Sequence, residues 1–218
     1  TQGYSSAASD VYKRQEYLTG PQCVYLPLCI DKVDHEDAKF DTNQVTVMGR
    51  LSSEKAYDDM LRVFVKVLEQ NPSAHLNIVG DGEERHNLSV LADRLGIADS
   101  VTFYGNKVGK EKSQILENTS VFVTTSHYES FGLVLLEAMD YGIPCLSFDS
   151  AKGSLDIIED GKDGYIIKNR DLDQMANKLV ALLNNPSKEL SKNAKDKANS
   201  YSYENVRKQW LDCLLYTS

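Results

Sequence analysis

From residue 43 onward the chain alternates strand-like and helix-like segments, and that alternation confines it to an α/β fold. Val45-Thr46-Val47-Met48 is a β-branched apolar run that stops at Gly49-Arg50. Met60, Leu61, Phe64, Val67 and Leu68 then recur close to the i, i+4, i+7 spacing of a helix face. This helix must stop at Asn71-Pro72, because a proline disfavours helix in the residue before it. Leu76 to Val79 reads as a strand entering Gly80-Asp81-Gly82, and Leu88, Leu91, Ala92 and Leu95 as a helix ending near Gly96. A strand at Val101 to Tyr104 closes at Gly105, and a short helix around Ile115-Leu116 leads to a buried strand, Val121 to Thr125. Further on, Cys145 to Phe148 and Tyr165 to Ile167 read as strands, with a helical turn over Leu155 to Ile158 between them. Leu172, Met175, Ala176, Leu179 and Leu183 mark a helix ending at Asn185-Pro186, and two polar helices follow, Glu189 to Ala198 and Glu204 to Leu211. Short Gly-rich turns between such elements predict a doubly wound, Rossmann-like parallel sheet covered on both faces, with right-handed crossovers. Ligands of such sheets bind at the carboxyl ends of the strands. Arg50, Gly80-Asp81-Gly82, Gly105 and Glu129 all fall there and are expected to face one cleft.

The stretch Glu129-Ser130-Phe131-Gly132-Leu133-Val134-Leu135-Leu136-Glu137 carries the chemistry. Glu129 lies on the loop leaving a strand, and Glu137 lies about two turns into the next helix at 3.6 residues per turn. The N-terminus of that helix therefore falls between two carboxylates. Free N–H groups there can hold a phosphate, and the carboxylates can accept from hydroxyls. A phosphate flanked by hydroxyls describes a sugar nucleotide.

Glu129-x7-Glu137 followed by Ala138-Met139 and Gly142-Ile143-Pro144 resembles the signature of the retaining glycosyltransferases of family 4, which have the two-domain GT-B fold. Gly49-Arg50-Leu51-Ser52-Ser53-Glu54-Lys55 matches the Gly-Arg-Leu-x-x-x-Lys loop of that family, with Ala56 where a glycine is usual. The resemblance implies that Arg50 and Lys55 hold the donor diphosphate, Arg50 as a planar fork and Lys55 as a point charge, stabilising charge on the leaving nucleoside diphosphate. It assigns Glu129 to hydroxyls of the donor sugar and Glu137 to those of the ribose. The amides around Phe131, Gly132 and Leu133 would cover the sugar and distal phosphate. Gly132 is expected to leave room for a ligand near the backbone, whereas the Phe131 side chain is equally readable as core. Gly49, Gly80 and Asp81 would line the donor cleft, and Val108 would touch the base through its backbone. No role falls to His127. Gly80-Asp81-Gly82 is not a dinucleotide fingerprint, since Arg85 stands where the third glycine would be.

The resemblance covers residues 43 to 212, with a weaker start at Val24-Tyr25-Leu26-Pro27, where Leu28-Cys29 replace the usual Asn-Pro. Residues 16–42 then read as interdomain strand and linker, 43–200 as the donor-binding domain, and 201–212 as a closing helix. The ends look foreign. Asp10-Val11-Tyr12-Lys13-Arg14-Gln15 can be encoded as GAT GTG TAT AAG AGA CAG. The reverse complement of that element, read one base over, encodes Cys213-Leu214-Leu215-Tyr216-Thr217-Ser218. Residues 1–15 and 213–218 thus resemble a sequencing-adapter scar and are set aside from the fold. The acceptor domain, on the order of 150 residues by ordinary domain size, is absent from this reading.

Composition removes other classes. The chain carries net −8, and −9 without Asp10, Lys13 and Arg14, which argues against a nucleic-acid binder. No CxxC or Cys/His pattern marks a zinc site, and Cys145 sits in an apolar run as a buried thiol. No apolar run approaches the roughly 20 residues that span a bilayer. The expected parent is a cytoplasmic enzyme, with peripheral association at the inner face of the membrane as an option. It would transfer a sugar from a nucleotide sugar, UDP-linked first and GDP-linked second, to a glycan or lipid-linked acceptor in cell-surface polysaccharide synthesis, with retention. It would need no cofactor and no metal, because Arg50, Lys55 and the helix N-terminus supply the positive charge. The fragment alone is expected to bind weakly and turn over little. The rival readings are an epimerase-like or phosphorylase-like enzyme on the same fold, and a non-catalytic nucleotide-sugar-binding module.

Overall fold

The apolar runs do form strands: β1 (Gln44–Met48), β2 (His75–Val79), β3 (Val101–Gly105), β4 (Val121–Thr124), β5 (Cys145–Phe148) and β6 (Gly164–Ile167). The helices are α1 (Tyr57–Gln70), α2 (Arg85–Arg94), α3 (Gly109–Glu117), α4 (Leu133–Asp140), α5 (Lys152–Ile157), α6 (Leu172–Asn184), α7 (Lys188–Ser200) and α8 (Tyr203–Tyr216). The structure, a computed structural model, describes residues 27–30 and 34–211 and the backbone of 212–216. Residues 1–15, read from the sequence as an adapter scar, the strand expected at Val24-Tyr25-Leu26 and the last two residues lie outside the described residues.

All six strands pair in parallel, in the order β3-β2-β1-β4-β5-β6. The chain winds outward from β1 through β2 to β3, then returns to the middle and winds the other way through β4, β5 and β6. The strand order therefore reverses between β1 and β4, the crevice where ligands of open α/β sheets bind.

Strand periodicity assigns the faces. Val45, Val47, Val121, Val123, Leu146 and Phe148 point to one side, where they pack with Met60, Leu61, Phe64 and Val67 of α1 and Met175 and Leu179 of α6. Phe122 and Cys145 point to the other, against Leu135, Leu136 and Met139 of α4 and Ala194 and Ala198 of α7. Each large side chain so buried stabilises the fold by about 1.5–3 kcal/mol. Helix ends follow local chemistry. α1 ends one residue before Asn71-Pro72. α6 and α7 are capped by Asp171 and Ser187, whose side chains accept from Gln174 N and Leu190 N.

Three boundaries differ from the sequence reading. α3 runs over nine residues because its polar first turn still winds, although only Ile115 and Leu116 are buried. α8 continues to Tyr216. Residues 34–42, read as linker, lie against the domain: Ala38 N donates to Tyr141 O at 2.9 Å and Lys39 N to Glu117 O at 2.9 Å. The His35 ring stacks on Tyr141 at 3.6 Å between centroids. Among the described residues no helix is long and apolar enough to cross a membrane.

Candidate functional site

The loops leaving β1 and β4 face each other across the switch point, and the backbone ties them together. His127 N donates to Glu54 O at 2.8 Å, and Thr125 Oγ1 donates to Lys55 O at 3.0 Å. The β1 loop is also held from behind by the turn after β2. Leu51 N donates to Asp81 O at 3.0 Å and Glu84 N to Leu51 O at 2.9 Å. The two loops approach so closely that a Cβ built on Gly80 would lie 1.9 Å from Gly49 O, and one on Gly82 2.4 Å from Leu51 O. Gly80-Asp81-Gly82 thus supports the Gly49-Arg50 turn with its backbone. The Asp81 carboxylate caps its own turn at Gly82 N, 2.9 Å away.

This framework brings Lys55 to Glu129. Lys55 Nζ donates to Glu129 Oε2 at 2.7 Å, with both side chains mostly buried. The ammonium has three donors, so the amine can hold Glu129 and still reach a phosphate. Glu129 is fixed further by its backbone, since Gly153 N donates to Glu129 O at 2.7 Å. Arg50 is not drawn into the pair. Its guanidinium is 72% exposed and meets Glu83 at 3.3 Å on the outer rim.

α4 begins at Leu133 with Gly132 as its N-cap, and no side chain caps it. Its first N–H groups are therefore open to an anion. Gly132 sits at φ +89°, and a Cβ there would meet Leu135 Cδ1 at 3.2 Å and Ile157 Cδ1 at 3.4 Å. Left-handed backbone and close packing are thus reasons for glycine here in addition to the ligand clearance expected from the sequence. The Phe131 side chain is buried and meets Tyr201 edge-on at 6.0 Å, so what it can offer a ligand is its amide. Leu133 is partly exposed beside the helix start.

Glu137 occupies a separate hollow of about 350 Å³, bounded by Gly109, Lys112, Ser113, Leu133 and Tyr141. Lys112 Nζ lies 2.8 Å from Glu137 Oε2. Val108, the residue before α3, has 79% of its surface exposed. The two acids of the motif therefore lie in two places along the same helix, one before its start and one two turns along.

Three contributors escaped the sequence reading. Lys112 pairs with Glu137 from another helix. Arg170, on left-handed backbone at φ +51°, donates from Nη1 to Ser126 O at 3.2 Å and Ser150 Oγ at 2.9 Å. It also pairs with Asp59 of α1 and lies 4.6 Å over the Phe148 ring, so it clamps the β4 loop to the β5 loop. Tyr57 opens α1 beneath the Lys55 loop. Burial, and then the charge of Glu129, push its phenol well above the ordinary range. Nothing in the local sequence marks these residues, because each partner is distant along the chain.

Comparison with known proteins identifies the family of the chain. Residues 31–200 match the family model described as glycosyl transferases group 1. The chain is similar to an uncharacterized glycosyltransferase of Haemophilus influenzae, 31% identical over 81% of this chain and 50% of that protein. It is also similar to the poly(ribitol-phosphate) alpha-N-acetylglucosaminyltransferase of Staphylococcus aureus, 28% identical over 83% of this chain and 37% of that protein. The chain thus spans half or less of the length of these relatives. Among solved structures, the pneumococcal O-GlcNAc transferase GtfA in complex with UDP and GlcNAc superposes with a TM-score of 0.78 at 24% identity, over 95% of this chain and 43% of that one. The Rossmann-like sheet seen here is thus the fold of one half of a GT-B enzyme, and the chain belongs to the glycosyl transferases group 1 family.

Proposed function

We propose that this chain is the donor-binding half of a retaining glycosyltransferase that moves a sugar from a nucleotide sugar, with UDP as the favoured carrier, to a glycan or lipid-linked acceptor in cell-surface polysaccharide synthesis. One observation carries the reading. The Lys55–Glu129 pair spans the switch point at 2.7 Å, beside an uncapped helix start, with Glu137 in its own hollow along the same helix. Glu137 accepts from ribose hydroxyls, the α4 amides and Lys55 take the diphosphate, and Glu129 accepts from the donor sugar. In transfer, the bond from the anomeric carbon to the phosphate oxygen breaks and one to the acceptor oxygen forms. Negative charge then grows on the leaving diphosphate beside Lys55, with Arg50 closing from the rim, so cationic side chains meet that charge and the reading includes no metal. The UDP preference is supported by the ligand of GtfA, and the polymer context by the name of the Staphylococcus aureus relative.

The test is a thermal-shift titration of the chain against UDP, GDP, ADP and NAD, with Glu137→Ala alongside. A ligand at 100 times its Kd stabilises by about 2.7 kcal/mol. The expected result is a rise with UDP that Glu137→Ala loses. A folded chain that responds equally in both forms, or to no nucleotide, overturns the proposal.

A further inference from the structure

Resting on the donor-site reading above, we infer that the Tyr57 hydroxyl is a neutral hydrogen-bond donor to the diphosphate of the bound nucleotide, held over the bare α-carbon of Gly49 beside Lys55. Tyr57 is 4% exposed, and its hydroxyl, which makes no hydrogen bond among the described residues, is not one of the buried unpaired atoms and so keeps an open face. An accessible hydroxyl on an otherwise buried ring can donate to a bound molecule without first breaking a protein contact.

Its position says what it serves. A Cβ built on Gly49 would fall 3.0 Å from the Tyr57 oxygen and 4.0 Å from Lys55 Cε. The phenol, the end of the lysine stem and the glycine therefore border one small volume, and Lys55 carries on from it to Glu129. A side chain on Gly49 would fill the space next to the hydroxyl, and at φ +150° that position favours glycine in any case.

The chemistry fits an anion. The phenol proton is held more tightly than usual by burial and by Glu129, so at ordinary pH the group donates and does not repel phosphate. Arg50 and Lys55 supply charge, and Tyr57 adds a directed contact from a rigid ring at a helix start.

Tyr57→Phe in the full 218-residue chain removes only this oxygen. UDP binding is measured by isothermal titration calorimetry for the unaltered chain, Tyr57→Phe and Lys55→Ala. Melting without ligand is recorded for each. Because the hydroxyl has no partner in the free chain, Tyr57→Phe is expected to melt no earlier than the parent. Its UDP affinity is expected to fall by roughly tenfold, the ordinary effect of losing a hydrogen bond to a charged group. If Tyr57→Phe binds UDP as tightly as the parent while Lys55→Ala has lost it, the inference fails and the donor site stands. If the unaltered chain binds no UDP, the donor-site reading fails and the inference falls with it.

Discussion

At the scale of single residues, backbone conformation decides more here than side-chain identity. Ala56 stands where the resembling family has glycine, and the structure shows why glycine is favoured: φ is +48° and ψ +46°. Left-handed backbone costs an L-residue about 1–2 kcal/mol, whereas glycine gives back about 0.4–1 kcal/mol through the unfolded chain. Ala56→Gly is therefore expected to stabilise by up to about 1 kcal/mol, raising Tm by a few degrees, which a melting curve reads directly. The reverse exchange at Gly80 should be severe. Its new Cβ would meet a backbone oxygen at 1.9 Å and its φ is +137°, so Gly80→Ala is expected to lose about 3 kcal/mol or more in urea unfolding. These positions were legible as punctuation in the sequence, because Gly-rich turns after strands announce themselves. Their partners were not. Lys55 and Glu129 were each recognisable within a local motif, but their contact spans 74 positions, and no spacing rule reaches that far. Lys112 and Tyr57 lie outside any motif and acquire a role only once the helices are placed around the sheet.

At the scale of elements, the strongly periodic helices and those stopped by proline were readable almost to the residue. α1 and α6 each end just before an Asn-Pro step, at Gln70 and Asn184. α3 was readable only around its two buried residues, since Gly109 to Ser113 carries no apolar rhythm. The connection between the β4 and β5 loops is where sequence reasoning saw least. There Arg170 joins α1, Ser126 and Ser150 through one guanidinium. Asn169 and Arg170 both adopt positive φ to aim it, so strain is stored beside the candidate site. Removing the guanidinium leaves Asp59 partly buried without its cation. Arg170→Ala is expected to cost about 2 kcal/mol in urea unfolding. Arg170→Lys should recover little of it, because an ammonium cannot reproduce the planar fork toward three acceptors at once. Full recovery by lysine would show that charge alone matters and that the clamp does not depend on geometry.

At the scale of the whole molecule, the α/β alternation gave a doubly wound parallel sheet but could not order its strands, since periodicity says nothing about which strand lies beside which. The observed order β3-β2-β1-β4-β5-β6 is what sets the β1 and β4 loops face to face. The same burial that builds this sheet makes the molecule sensitive to alkali. Cys145, in β5, has its thiol pushed well above its ordinary value of 9.0 by burial and then by Asp163. Tyr57, Tyr141 and Tyr201 are all raised from 10.0, each chiefly by burial. For every one of these groups the folded state holds its proton more tightly than the unfolded state. Their stabilising contribution is therefore complete below the unfolded values and is lost as pH rises past 9 and then 10. Above each unfolded value the folded state binds more protons than the unfolded one, and each group then steepens the fall in stability by up to about 1.4 kcal/mol per pH unit. Urea midpoints measured from pH 7 to 11 should hold level to about pH 9 and then drop with increasing slope. Cys145→Ala should delay the onset of the drop toward pH 10, because it removes the group with the lowest unfolded value, whatever the fixed cost of the smaller side chain. An onset that Cys145→Ala leaves in place would mean that the buried thiol does not couple to unfolding and that the tyrosines carry the alkaline limb alone.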